Sequence, residues 1–167
     1  SPMKPVILRA GMIYGRGILM IDAARWLSRR HLLFVWRRPT WIHLLSLPDF
    51  LSCCEAAITR EDVQGIYNLG DDAPLTLQEF LDRASRKWGA AWPFRKTRPP
   101  RRAPAPLFYA AGALSELAAA VLRTRAPLTR DFIRIGMAPY TADTSRMKEE
   151  LLPQLEYPTL SEGMGLL

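Results

Sequence analysis

Val6-Ile7-Leu8-Arg9-Ala10-Gly11-Met12-Ile13-Tyr14-Gly15-Arg16-Gly17 is the stretch from which the rest of the chain reads most simply. Its first four residues are mostly apolar, the composition of a strand covered on both faces. Gly11, Gly15 and Gly17 then punctuate a turn. In open α/β sheets, ligands occupy the crevice beyond the carboxyl ends of the strands. If residues 6–9 are a central parallel strand, residues 10–17 therefore form part of a binding-site wall.

Totals bound what that wall serves. The chain has 167 residues, 49% of them hydrophobic and 23% charged, which is the composition of one globular unit with a real core. Net charge is +7, carried by 19 arginines against 4 lysines. Such a balance suits anionic ligands, phosphorylated cofactors included, and equally suits nucleic acid. Cys53 and Cys54 are adjacent in a helical pattern and point apart, so no disulfide framework and no four-cysteine zinc site is expected. A reducing cytoplasm is the expected compartment. Residues 1–5 are too short for a signal peptide ahead of the strand and read as a cut edge.

Downstream, residues 18–30 have helical composition, ending in Arg29 and Arg30 where cations suit the helix terminus. Residues 31–36 and 40–44 read as short extended pieces separated by Arg37-Arg38-Pro39. Pro48 opens a helix whose apolar positions Leu47, Phe50, Leu51, Cys54 and Ile58 fall on one face. Residues 66–70 form a short strand. Thr76-Leu77-Gln78-Glu79 is a capping-box pattern. The helix it opens buries Leu77, Phe80, Leu81, Ala84 and Trp88 and stops at Gly89. Residues 92–97 read as a strand and 98–102, rich in proline and arginine, as a surface connector. Residues 103–122 form a long alanine-rich helix, followed by helices at 129–135 and 144–152 and a last turn at 160–167. The first ninety residues thus alternate strand and helix, the order of a parallel α/β sheet, and the remainder is mainly helical.

Five segments in this order resemble the C-terminal half of an extended short-chain dehydrogenase/reductase, the NAD-dependent epimerase/dehydratase family. Residues 6–17 resemble that family's sixth strand and its following loop. Trp41-Ile42-His43-Leu44-Leu45-Ser46-Leu47 resembles its "VHVDD" segment, and Gly65-Ile66-Tyr67-Asn68-Leu69-Gly70 its "YNLG" strand. Residues 75–80 resemble the helix start that follows, and residues 143–147 with 157–163 its C-terminal ending. The resemblance implies the C-terminal part of a Rossmann-like doubly wound parallel sheet (residues 1–91) and a mainly helical substrate-binding subdomain (residues 92–167). It also implies NAD or NADP as cofactor, and a small-molecule substrate bearing a hydroxyl or carbonyl, of nucleotide-sugar or steroid-like type.

Two family features are not found in the sequence. No GxGxxG loop occurs, and none of Tyr14, Tyr67, Tyr109, Tyr140 or Tyr157 has a lysine four residues later. The expectation is a C-terminal fragment, inactive alone, whose partner is its own N-terminal half and which, when isolated, either self-associates as a homodimer or rearranges its packing. Within the part present, Ala10 stands where the family has proline and Ser46 where it has an acidic residue.

The resemblance implies that Ala10, Gly11 and Met12 face the nicotinamide. Tyr14, Arg16, Arg37 and His43 are the candidate substrate contacts. The plainer readings are a strand-to-loop turn for the first three, solvated arginines, and a satisfied structural histidine. A scaffold or cofactor sensor without catalysis is a second functional class. A basic nucleic-acid or membrane-surface module built on residues 95–102 and the long helix is a third; its bland reading is a solvated connector and a helix packed on its neighbours.

Overall fold

The computed structural model describes residues 5–90, 99–126 and 128–167, so the strand expected at residues 92–97 lies outside the described residues. The elements are β1 (Val6–Ala10), β2 (Met12–Tyr14), α1 (Leu19–Arg29), β3 (Phe34–Trp36), β4 (Trp41–Ile42), β5 (Leu44–Ser46), α2 (Leu47–Thr59), β6 (Gly65–Leu69), β7 (Leu75–Thr76), α3 (Leu77–Ala90), β8 (Arg101–Ala103), α4 (Ala105–Leu122), α5 (Arg130–Met137) and α6 (Leu160–Gly163). A π-helical turn at Met147–Leu151 stands where the 144–152 helix is expected.

Three strand pairs are parallel: β1 with β6, β2 with β5 and β3 with β8; β4 pairs antiparallel with β7. The α/β class with parallel crossovers is therefore present. The strands meet in two cores. One gathers Tyr14, Ile21, Val35, Ile42, Leu44, Phe80, Trp88 and Leu160 between α1 and α3. The other gathers Leu45, Cys53, Tyr67, Leu69, Met147, Leu151 and Leu155 beneath α2. The chain's last stretch thus returns to both cores.

The structure departs from the sequence pattern in instructive places. β1 is covered on one face only: Val6, Leu8 and Ala10 turn to the second core while Ile7 and Arg9 are exposed. α2 presents a different face from the one its apolar spacing predicts. Asp49 and Cys53 are buried, whereas Leu51 and Ile58 are exposed. The reason is polar: Asp49 hangs the helix from two backbone amides, and that anchor overrides the apolar stripe. α3 buries Phe80, Leu81, Ala84 and Trp88 as expected, and runs one residue past Gly89 to Ala90. The capping box is half formed. Thr76 Oγ1 accepts from the Glu79 amide at 3.2 Å, but Glu79 pairs forward with Arg83, an ordinary i,i+4 contact.

Two corrections concern the region beyond residue 98. Part of the supposed connector is an edge strand, because Arg101–Ala103 pairs with Phe34–Trp36 through backbone groups its side chains leave free. And α4 is not packed by an apolar face: only Gly112 and Ala119 are buried, while Leu107, Leu114, Leu117, Val121 and Leu122 are exposed. Its polar residues, Ser115 and Glu116, are partly buried on the same side, accepting from the amides of Leu128 and Arg130. Among the described residues α4 is long and apolar enough to cross a membrane by length and composition, and 11% of it is buried.

Helix ends explain two unusual backbone positions. His31 (φ 59°) and Arg123 (φ 53°) are left-handed residues closing α1 and α4. The Leu32 and Thr124 amides return to the Leu27 and Ala119 carbonyls at 2.9 Å, the pattern of a Schellman close. His31 is therefore a helix terminator, consistent with its place after Arg29 and Arg30.

Candidate functional site

The site grows from the point where β1 hands over to β2. At residue 11 the chain leaves its pairing with β6 and joins β5. The Gly11 amide donates to the Leu69 carbonyl (2.9 Å) and the Met12 amide to the His43 carbonyl (2.8 Å). A Cβ at Gly11 would lie inside contact distance of the His43 carbonyl oxygen, and one at Gly70 would lie 2.9 Å from His43 Cγ. Both glycines are thus required by close approach rather than by φ. Gly11 abuts the His43 carbonyl and Gly70 its imidazole, just beyond the carboxyl ends of two parallel strands.

His43 is nearly buried, and desolvation holds its imidazole below the ordinary histidine range, in the neutral form. Its Nδ1 accepts from the Ala142 amide (3.1 Å), which leaves the proton on Nε2. Its own amide donates to the Tyr140 carbonyl (3.2 Å), and the Tyr140 amide to the Trp41 carbonyl (3.0 Å). The histidine therefore stitches residues 140–142 to the strand edge.

Asp49 performs a similar task one helical turn into α2. Ser46 Oγ accepts from the Asp49 amide (3.1 Å) and donates to Asp49 Oδ2 (2.6 Å). Asp49 Oδ1 accepts from the Glu156 amide (2.7 Å) and Oδ2 from the Tyr157 amide (3.2 Å). The acidic residue missing at position 46 is thus supplied at position 49, with Ser46 as helix cap. This role escaped the sequence reading, although Ser46-x-x-Asp49 is itself a cap pattern. Asp71 was also missed. It is buried beside Tyr14, neither of its carboxylate oxygens makes a well-formed hydrogen bond among the described residues, and desolvation raises it to about 7.

The other expected site residues fall into three places. Ala10, Gly11 and Met12 are together at the hinge, each partly open. Tyr14 is fully buried in the first core, beneath Gly163, and its hydroxyl lacks a partner among the described residues; desolvation raises its pKa well above the usual range. It is a packing residue and does not open onto a cleft. Arg16 and Arg37 are exposed on separate loops, after β2 and after β3. The Arg37 turn is held rigidly by buried Gln78, which donates to the Trp36 (3.0 Å) and Arg38 (2.7 Å) carbonyls and accepts from the Thr40 amide (3.0 Å).

Beside the hinge, a cavity of about 500 Å³ begins at Met12 and Ile42 and runs between α1, α3 and α5.

No protein-family model matches the chain, and no curated protein matches it in sequence. Solved structures do match. Human epimerase family protein SDR39U1, crystallised with NADPH, aligns over 96% of this chain and 46% of its own, with TM-score 0.72 and 15% identity. A UDP-glucose 4-epimerase from Thermotoga maritima, with UDP-glucose, aligns over 98% and 44%, with TM-score 0.58 and 14% identity. WbmG from Bordetella bronchiseptica, with NAD and UDP, aligns over 99% and 44%, with TM-score 0.59 and 12% identity. The fold is that of the NAD-dependent epimerases and dehydratases. The chain spans less than half the length of each of these structures.

Proposed function

We propose that this chain is the substrate-binding, C-terminal portion of an NAD(P)-dependent oxidoreductase, epimerase or dehydratase. The observation that carries the reading is the Gly11–His43–Gly70 seam, which lies at the carboxyl ends of parallel β1 and β6, where α/β sheets hold their ligands. In this reading residues 1–91 complete the dinucleotide-binding sheet and residues 92–167 form the substrate side. Ala10, Gly11 and Met12 line the nicotinamide side of the pocket. The Gly11 and Met12 amides are consumed by Leu69 and His43, so these two residues contribute shape and water exclusion rather than amide hydrogen bonds to the cofactor. Gly15 packs on Leu47 and cradles no phosphate, so the pyrophosphate belongs to another part of the protein. The bound nicotinamide would accept or give the hydride. Arg16 and Arg37 face the substrate's entry side, while Tyr14 and His43 position the wall. No carboxylate here is offered as the general acid: Asp49 is committed to structure and Asp71 is enclosed.

Titration of the full-length protein with NADPH and NAD, followed by fluorescence, tests this. Binding is expected, with hydride transfer lost by on the order of 10²–10⁴-fold when the tyrosine of an upstream Tyr-x-x-x-Lys pair becomes phenylalanine. Absence of pyridine-nucleotide binding contradicts it. Binding without turnover favours the sensor class. One observation favours a membrane-surface role in addition: exposed, apolar α4 is flanked by Arg101, Arg102, Arg123 and Arg125. Co-sedimentation with anionic but not neutral vesicles is its signature.

A further inference from the structure

The cavity beside the hinge has a chemistry of its own. It holds about 500 Å³, within the range of ligand sites, and begins at Met12, the inner end of the proposed nicotinamide wall. α1 supplies Ile21, Ala24 and Leu27, α3 supplies Phe80, and α5 supplies Phe132 and Ile133. No charged side chain lines it among the described residues. Two polar groups do. The Trp36 indole N–H is already donated to Thr40 Oγ1 at 2.7 Å, and the other group is the Tyr140 phenol, next to the His43 seam. Arg101 stands by one lining residue, its guanidinium 5.9 Å from the Phe34 ring centroid, and is itself exposed. The mouth is apolar too: Met20, Leu32, Phe34 and Phe132 line the cavity and are exposed.

A pyrophosphate placed here would be desolvated against walls that carry no charged side chain among the described residues, a cost apolar contacts do not repay. A hydrocarbon would replace water against apolar walls, gaining roughly 25 cal/mol per Å² buried. We infer that this cavity binds an uncharged lipid, a hydrocarbon body carrying one hydroxyl or carbonyl, with its polar end toward Met12 and Tyr140. The inference rests on the substrate-binding reading and names its substrate class, which differs from the nucleotide-sugar and UDP ligands of two of the matched structures.

The test uses the neutral fluorophore 1-aminoanthracene with the full-length protein, displaced by decan-1-ol. The expected result is saturable binding, displaced by decanol and not by UDP-glucose. Binding should weaken at least tenfold in Ala24→Phe, which fills the cavity, and in Ala23→Trp at its exposed mouth, a site that spares the core. The double variant Leu117→Ser/Val121→Ser on the outer face of α4 should bind as the parent does. Unchanged affinity in both cavity variants, loss in the α4 variant, displacement by UDP-glucose, or tighter displacement by decanoate than by decanol would each overturn the inference. Cofactor titration is independent of this readout. Decanol binding without NAD(P) binding would remove the dehydrogenase reading and leave the lipid site standing.

Discussion

The seam around His43 and the hairpin of α4 and α5 use polar groups in opposite ways. At the seam, buried polar atoms fix backbone to backbone: His43 holds residues 140–142 and Asp49 holds residues 156–157. Two glycines remove the side chains that would keep these strands apart. In the hairpin, Ser115 and Glu116 bond to the α5 side beside buried Ala119 and Ile133, and most of the large apolar side chains of α4 face outward. One region is closed and over-determined, whereas the other is held at its inner edge and open elsewhere. Substitutions of similar chemistry should therefore have very different consequences in the two.

The sharpest break of this contrast is Gly11→Val. Its side chain would collide with the His43 carbonyl, and overpacking against backbone should cost about 3 kcal/mol or more, read as a lowered urea midpoint. A midpoint unchanged from the parent would mean that the seam is not close-packed. Asp49→Ala comes next. It strands the Glu156 and Tyr157 amides and removes part of the α2 cap, so a loss of about 2–3 kcal/mol is expected, with Asp49→Asn retaining some of it.

Asp71→Asn should act in the other direction. A carboxyl raised to about 7 keeps its proton in the folded state and releases it in the unfolded state from about pH 4 upward, so its contribution to stability falls as pH rises between these values. The asparagine variant should therefore be the more stable one at pH 8, by an amount on the order of 2 kcal/mol. It should also lose that slope. Above about pH 5 the slope that remains includes that of His43, opposite in sign: its imidazole is held below the ordinary range by desolvation, so stability falls as pH drops below about 6.5. Thermal melts across pH 4 to 8 for both proteins check the sign. The smallest effect belongs to the hairpin: Leu117→Ser should shift stability by no more than about 0.5 kcal/mol, because that side chain is exposed. A large loss there would show α4 to be covered in solution.

Much of this was legible from local pattern. The β6 strand ending at Gly70 and the α3 face of Phe80, Leu81, Ala84 and Trp88 follow from periodicity and breakers, and the parallel pairing follows from element order. The face of α2 did so only in part, because one buried carboxylate turns Leu51 and Ile58 of the five apolar positions to solvent, and hydrophobic spacing does not register such an anchor. The exposed face of α4 did not. A mostly apolar helix predicts burial, and the side turned inward shows only in tertiary contacts such as Glu116–Arg130 and Ser115–Leu128. At the candidate site the sequence marked Gly11 and His43 but not their reason. Gly11 and Gly70 are far apart in sequence, and their shared neighbour is visible only once β1 and β6 are paired. Tyr14 shows the limit of analogy, since a tyrosine in a loop-like motif became a core residue under Gly163.

The central claim is that the hinge at Ala10, Gly11 and Met12 borders a nicotinamide. Methyl NMR of the full-length protein labelled at the methionine methyls addresses it directly, since Met12 stands at the hinge and Met147 in the second core. Saturating NADPH or NAD is expected to shift the Met12 methyl and leave Met147 in place. An unmoved Met12 signal in a protein that has bound the nucleotide would contradict the claim.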